Sequence, residues 1–378
     1  MKIGITCYPG VGGSGIIATE LGIQMAKRGH EVHFITSKVP FRLTINHPNI
    51  YIHQTDINSY SVFQYPPYDI TIASKIAEVI KYHELDLIHM HYAVPHAVCG
   101  ILARQMSGSD VKIISTLHGT DITVLGHDAS LKDAIRFGIE SSDMTTAVSE
   151  SLKNDTYRLI EPDKDITTVY NFIDETKFNL EDRELVRAQL KRQYAISEDT
   201  KVIMHTSNFR AVKRIEDIIR AFNIVCPKVD SILLLVGDGP EMNRMRQLSH
   251  DLGLEDKVIF AGQQTDVVNH YKMSDCFMLL SEQESFGLSL LEAMNCGSVP
   301  VGSSAGGISE VIEHGETGYV VDVGDYESAA VHLCRLLTDP EKYAELKNNM
   351  LDDIGIRFRS GNIIDQYENL YFSLKEGK

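Results

Sequence analysis

Short apolar runs recur along the chain, separated by stretches long enough for one helix each. Residues 2 to 8 form the first run, and a glycine-rich turn follows, Gly10-Val11-Gly12-Gly13-Ser14-Gly15. Ile16, Ile17, Leu21 and Met25 then fall on one face of an amphipathic helix that ends near Gly29. Further runs predict strands at 31 to 36, 50 to 55, 87 to 92, 112 to 117, 144 to 148 and 166 to 170, with helices at 71 to 82, 95 to 106 and 130 to 141. The alternation pauses at residues 170 to 174 (YNFID), and the charged segment 181 to 192 reads as one exposed helix. It restarts with strands at 202 to 206, 232 to 236, 258 to 260, 276 to 280, 299 to 301 and 319 to 321. Strands alternating with helices predict parallel sheets covered on both faces. The chain therefore reads as an α/β protein of two α/β halves, hinged around residues 171 to 180. In the last stretch Ile363, Ile364, Tyr367, Leu370, Tyr371 and Leu374 share a helical face that needs a surface to bury against.

The densest chemistry lies between Ser281 and Glu310. One apolar strand ends there in an acidic turn, Glu282-Gln283-Glu284, followed by Ser285-Phe286-Gly287 and a short helix carrying Glu292. Gly297 stops that helix. The next strand ends in the small-residue turn Ser303-Ser304-Ala305-Gly306-Gly307. Two helix N-termini thus reach the same sheet edge, and their unpaired N–H groups suit phosphate. The carboxylates beside them accept hydrogen bonds from sugar hydroxyls. Together these features suggest a nucleotide sugar.

Length and composition narrow the class. A chain of 378 residues exceeds one ordinary core, which gives two domains as the natural division. Its apolar content of 43% and charged content of 23% are those of a globular protein. A net charge of −16 argues against a nucleic-acid partner. The six cysteines show no C-x-x-C spacing and read as buried free thiols in a reducing cytosol. With no leader and no apolar run of ~18 residues, the expectation is a soluble cytoplasmic protein without a membrane partner.

Gly10, Gly12 and Gly15 fit G-x-G-x-x-G between a strand and a helix, the setting of a dinucleotide site. Such a site also needs an acidic residue closing the second strand, where this chain has Thr36-Ser37-Lys38. A pyridine-nucleotide oxidoreductase is therefore the weaker alternative, and the turn instead lets backbone N–H groups approach an anion held between the halves. His118-Gly119-Thr120-Asp121 follows a strand at the edge where ligands collect. His89, His91 and His96 invite a metal reading, but no cysteine or carboxylate completes a ligand set, and polar packing is favoured. The sole D-x-D match, Asp163-Lys164-Asp165, precedes a strand rather than following one, so no acidic metal clamp is expected. A diphosphate would instead meet Ser207-Asn208-Phe209-Arg210-Ala211-Val212-Lys213-Arg214, where Arg210 and Lys213 lie on a loop after the first strand of the second half. Gly237-Asp238-Gly239-Pro240 ends the next strand with a second loop of this kind.

These residues resemble the retaining GT-B glycosyltransferases. The signature is E-x7-E, Glu284 to Glu292 around Phe286-Gly287, with the Arg210/Lys213 turn, the Gly237 loop and the Gly306-Gly307-Ile308 turn. The resemblance implies a GT-B fold of two Rossmann-like domains facing across a cleft. Residues 1–170 with a crossover helix at 360–378 would bind the acceptor, and residues 171–359 the donor. It implies catalytic roles for His118, Arg210, Lys213 and Glu284. Donor contacts would come from Gly13, Asn208, Gly237, Gly262, Glu282, Ser285, Phe286, Gly287, Leu288 and Glu292. Ser309 stands where many relatives carry proline, and the basic turn is shorter than usual. The opening residues 2–22, PHAVCGILARQ, TLHGTDITVLG and SNFRAVKR are similar to one branch, which transfers N-acetylglucosamine from UDP-N-acetylglucosamine to L-malate at the entry to bacillithiol biosynthesis. That branch implies a UDP-sugar as substrate, no cofactor and no metal. Ser14, Tyr92, Thr120 and Arg136 are the acceptor candidates, and homo-oligomerisation is left open. A related transferase with another acceptor, or a sugar-binding regulator without catalysis, are the alternatives.

Overall fold

The computed structural model describes residues 1–10, 12–43, 46–57 and 64–377, so residue 11 of the glycine-rich turn lies outside the described residues. Every strand predicted from the apolar runs forms, with ends shifted by at most two residues. In unit 1 these are β1 Lys2–Thr6, β2 Glu31–Thr36, β3 Ile50–Gln54, β4 Leu87–His91, β5 Lys112–Leu117, β6 Met144–Ala147 and β7 Ile166–Thr168. Unit 2 holds β8 Lys201–Thr206, β9 Ser231–Val236, β10 Val258–Gly262, β11 Cys276–Leu279, β12 Val299–Ser303 and β13 Tyr319–Val321. Unit 1 comprises residues 1–171 and 360–378, and unit 2 comprises residues 172–359.

Both sheets are parallel throughout. Their orders are β3-β2-β1-β4-β5-β6-β7 and β10-β9-β8-β11-β12-β13. In each, the direction of winding reverses beside the first strand, between β1 and β4 and between β8 and β11, which is where open α/β sheets bind ligands. The reason for burial on both faces is visible in β9, whose six residues SILLLV are all buried. In unit 1 the helices Tyr68–His83 and Val98–Ser107 bury Ile72, Ile76, Ile80 and Ile101 against Ile35, Ile88 and Met90. In unit 2, Ile215–Val225 packs Ile218, Ile219 and Phe222 against Ile203, Leu233 and Leu235.

On the other face of the unit 1 sheet the helix Gly13–Lys27 packs beside Ile5 and Phe34, and the helix Ser360–Glu376 adds the cover over His89. Tyr367 and Tyr371 are buried there, the Tyr371 hydroxyl lies 2.7 Å from His89 Nδ1, and Arg28 pairs with Asp365 and Glu368 at 2.6 and 2.7 Å. Two expectations need correction. The helix expected from residue 95 begins at Val98, because residues 93–97 form a wider turn after Tyr92, whose φ is +91°. The charged helix Arg183–Gln193 is not simply solvated: Arg183 donates to the Cys296 and Ser274 carbonyls at 3.0 and 2.9 Å, and buried Lys191 donates to those of Glu198 and Thr200, both at 2.7 Å. Among the described residues, no helix is long and apolar enough to cross a membrane.

Candidate active site

In unit 2 the loops after β8, β9, β11 and β12 are laced together by their backbones. Phe209 N–H donates to the Asp238 carbonyl at 2.9 Å, and Glu241 N–H returns a bond of 2.9 Å to the Phe209 carbonyl. Glu282 N–H donates to the Val212 carbonyl at 2.8 Å, joining the acidic loop to the basic one. Gly307 N–H donates to the Glu284 carbonyl at 3.0 Å. Two glycines make this approach feasible. Gly237 has φ +128°, and a Cβ there would lie 1.9 Å from the Ser207 carbonyl oxygen. Gly306 has φ +53°, and its Cβ would lie 2.0 Å from the Glu284 carbonyl oxygen.

The side chains on this frame straddle the reversal between β8 and β11. Lys213, in the turn Ala211–Lys213, points its ammonium at Glu284 across that reversal, with Nζ 2.6 Å from Oε2. With its amide oxygen turned to the guanidinium, exposed Asn208 accepts from Arg210 Nη2 at 2.9 Å and Nε at 3.2 Å. Arg210 itself is exposed. Glu292 is buried in the helix Leu288–Asn295 and accepts from the Tyr271 hydroxyl at 3.1 Å. Burial and then Glu292 push the Tyr271 phenol well up, which keeps it a donor. Phe286 is buried and packs edge-on against Phe358 at 5.7 Å, fixing the loop between the two glutamates. Gly262 closes β10 and accepts from Gly237 N–H at 2.8 Å, so it adjoins the second loop. Glu282 is exposed, Ser285 and Leu288 are half-buried, and Gly287 (φ +95°) opens the helix.

Unit 1 repeats the arrangement at its own reversal. Ser14 on the glycine-rich turn donates to the Tyr92 hydroxyl at 2.8 Å, bridging the ends of β1 and β4. Exposed Gly13 opens the helix Gly13–Lys27. The Tyr92 ring meets His118 edge-on at 5.4 Å, and His118 Nε2 lies 2.8 Å from His91 Nδ1. Burial pushes His118 down to about 3, so this ring is neutral. Asp121 holds the loop: its carboxylate accepts from Ala93 N–H at 3.0 Å, Gly119 N–H at 3.0 Å and His118 N–H at 3.3 Å. Burial raises Asp121 to about 6 against the pull of those bonds. Thr120 is exposed beside it.

The structure thus brings Ser14, Tyr92 and His118 together in unit 1, and Asn208, Arg210, Lys213, Glu284 and the Gly237 and Gly306 loops together in unit 2. It engages Arg136 differently: Nε donates to the Ile160 carbonyl at 2.9 Å, just beyond the helix Glu150–Leu159, and Nη1 lies 3.7 Å from Asp133. Asp121 and Tyr271 were not anticipated. An Asp three residues after His118 is itself the signal for a loop-closing carboxylate, whereas nothing in sequence links Tyr271 to Glu292.

The family model for glycosyl transferases group 1 matches residues 186–352, and that for glycosyltransferase family 4 matches residues 11–177. The chain is 54% identical to the N-acetyl-alpha-D-glucosaminyl L-malate synthase of Bacillus anthracis, over 100% of this chain and 99% of that one. It belongs to the GT-B glycosyltransferases. The transferase is also 27% identical to an uncharacterized glycosyltransferase, MJ1607, of Methanocaldococcus jannaschii, over 96% and 94% of the two chains. In fold it is similar to Anabaena Alr3699/HepE in complex with UDP-glucose (TM-score 0.83, 22% identity, 99% and 100% of the chains). The sucrose-phosphate synthase of Thermosynechococcus elongatus has the same TM-score of 0.83 at 21% identity, over the full length of both chains.

Proposed function

We propose that this transferase moves N-acetylglucosamine from UDP-N-acetylglucosamine to the hydroxyl of L-malate, with retention of configuration, as the first step of bacillithiol biosynthesis. The observation that carries the reading is end-to-end identity of 54% with a relative of that name. The paired Lys213 and Glu284 beside Arg210 support it on chemical grounds.

The anomeric C–O bond to the diphosphate breaks while a bond from the malate oxygen forms on the same face, and the malate proton passes to the departing phosphate. The leaving group then carries the growing negative charge, and fixed donors that meet it contribute most to the rate. Arg210, Lys213 and the N–H groups opening the helix Leu288–Asn295 supply those donors in unit 2. Two cations on one loop make a divalent ion unnecessary in this scheme. Glu292, held by Tyr271, accepts from both ribose hydroxyls, and Glu284 accepts from a hydroxyl of the transferred sugar. Backbone around His118 reads the sugar. Gly13, Ser14, Tyr92 and Thr120 offer donors to the malate carboxylates, while Arg136 would first have to release Ile160. Incubation with UDP-N-acetylglucosamine and L-malate, following UDP release and the anomeric proton coupling of the product, tests the proposal. An α-linked product formed at undiminished rate in EDTA is expected. No UDP release with malate, or a β-linked product, overturns it.

A further inference from the structure

A second cluster lies on the opposite face of the unit 1 sheet from His89 and His91. The register places His33 in one row with Gly4 and Ile88, so His89, the next residue, faces the other way. His33 comes from β2, His53 from the edge strand β3, and His83 from the last turn of the helix Tyr68–His83. Each offers one ring nitrogen, and the three nitrogens all lie within 4.8 Å of one another. His33 Nδ1 is 2.8 Å from His53 Nε2, and the His83 ring lies 4.5 Å from His33 and 4.9 Å from His53 between centroids. His33 Nε2 is 2.9 Å from Glu31 Oε1.

Protonation follows from these contacts. A carboxylate accepts, so His33 Nε2 carries the hydrogen and Nδ1 presents its lone pair towards His53. We propose that His33, His53 and His83 bind one divalent transition-metal ion of the zinc class, with Glu31 orienting His33 from behind. Imidazole nitrogens suit zinc, copper and nickel, and three of them leave a fourth position for water. A carboxylate on the far nitrogen of a ligand histidine is the usual device for fixing the ring and raising its basicity. Metal–nitrogen bonds of about 2.0–2.1 Å separate tetrahedral ligands by about 3.4 Å, so His53 need shift only by about 0.6 Å as the ion replaces its shared proton. His53 and His83 are half-buried, which leaves a way in.

The ion would fasten an edge strand and a helix end to the central sheet. Residues of β3 such as Tyr51 and Ile52 are 42% and 44% exposed, so little else covers that strand. The role is structural and separate from the phosphate chemistry of unit 2.

The test uses the full chain, stripped with EDTA and titrated with Zn²⁺ or Co²⁺ alone. One ion per chain by calorimetry is expected, with the strong visible bands of four-coordinate Co²⁺. At a hundredfold excess over Kd, Zn²⁺ should raise Tm by roughly 5–10 °C. His53→Gln and His83→Gln should each weaken binding by about tenfold or more, with circular dichroism confirming that both fold. His250→Gln, an exposed histidine of unit 2, should leave the titration unchanged. Absence of saturable one-to-one binding, or binding that survives H53Q and H83Q together, overturns the proposal.

Discussion

Replacing Lys213 by alanine removes an ammonium whose place is set by the turn Ala211–Lys213 and by Glu284, 2.6 Å away. Two magnitudes compete. As a mere ion pair, with side chains 16% and 18% exposed, it is worth about 0–1 kcal/mol after solvent screening, equivalent to a Tm change of at most about 2–4 °C. As a preorganised donor to a departing diphosphate it is worth about 2.7–4 kcal/mol, or roughly 10²–10³ in turnover. The gap between the two makes the experiment decisive. Turnover of Lys213→Ala is measured by UDP release at saturating malate, alongside its thermal unfolding. The expected result is a loss of about 100-fold or more in kcat/KM with Tm within a few degrees of the parent. Retention of kcat/KM to within about threefold, which corresponds to under ~1 kcal/mol, would refute the leaving-group role. So would a loss accompanied by collapse of Tm, because the lysine would then be acting through the fold.

Glu284→Gln frees the Lys213 ammonium from its partner, so UDP alone should bind up to about fivefold more tightly while turnover falls; weaker UDP binding by calorimetry would contradict this. Gly306→Ala forces a left-handed residue and a Cβ 2.0 Å from the Glu284 carbonyl, so Tm and kcat/KM should both drop, by at least about 1–2 kcal/mol in stability. A parent-like variant would mean the loop has another route. His89, His96 and His205 are fully buried and burial pushes them to about 3, 4 and 4. Because the folded values lie below the unfolded value near 6.5, their contribution is full above about pH 6.5 and is lost as pH falls towards 4, about 2 kcal/mol each by pH 5. Asp121, raised to about 6, works in the opposite sense and returns only about 1 kcal/mol at pH 5. Thermal unfolding at pH 7.5 and 5.0 should therefore show a lower Tm in acid, and an equal or higher one would count against buried neutral histidines.

The fold was readable because its determinants are local. Most of the buried strands are rich in apolar residues, as in SILLLV of β9, and end at a turn marked by glycine or a polar residue. The clustering of the candidate residues of unit 2 was equally readable, since Arg210, Lys213 and Glu284 sit on loops after strand ends and Glu292 on the helix that follows, where the sheet delivers them. What escaped depends on contacts between distant elements. Arg183 and Lys191 look like surface charges until the carbonyls they cap are known. The Tyr271 hydroxyl reaches Glu292 only through packing. His33, His53 and His83 sit on separate elements, and only the parallel pairing of β2 with β3 and the landing of a helix end unite them. Arg136 carried the right charge for malate, yet the guanidinium found a nearer acceptor in Ile160.

The helix Ser360–Glu376 has a consequence for how the chain is made. Its tyrosines cover His89 at the heart of unit 1, but they are synthesised after the whole of unit 2. On the ribosome the first sheet must wait with part of one face uncovered, beyond the area that the helix Gly13–Lys27 already packs on, while the second can finish as soon as residue 359 emerges. The half that begins first is completed last, and a nascent chain cut short near its end would leave the N-terminal half, rather than its neighbour in sequence, as the target for chaperones and proteases.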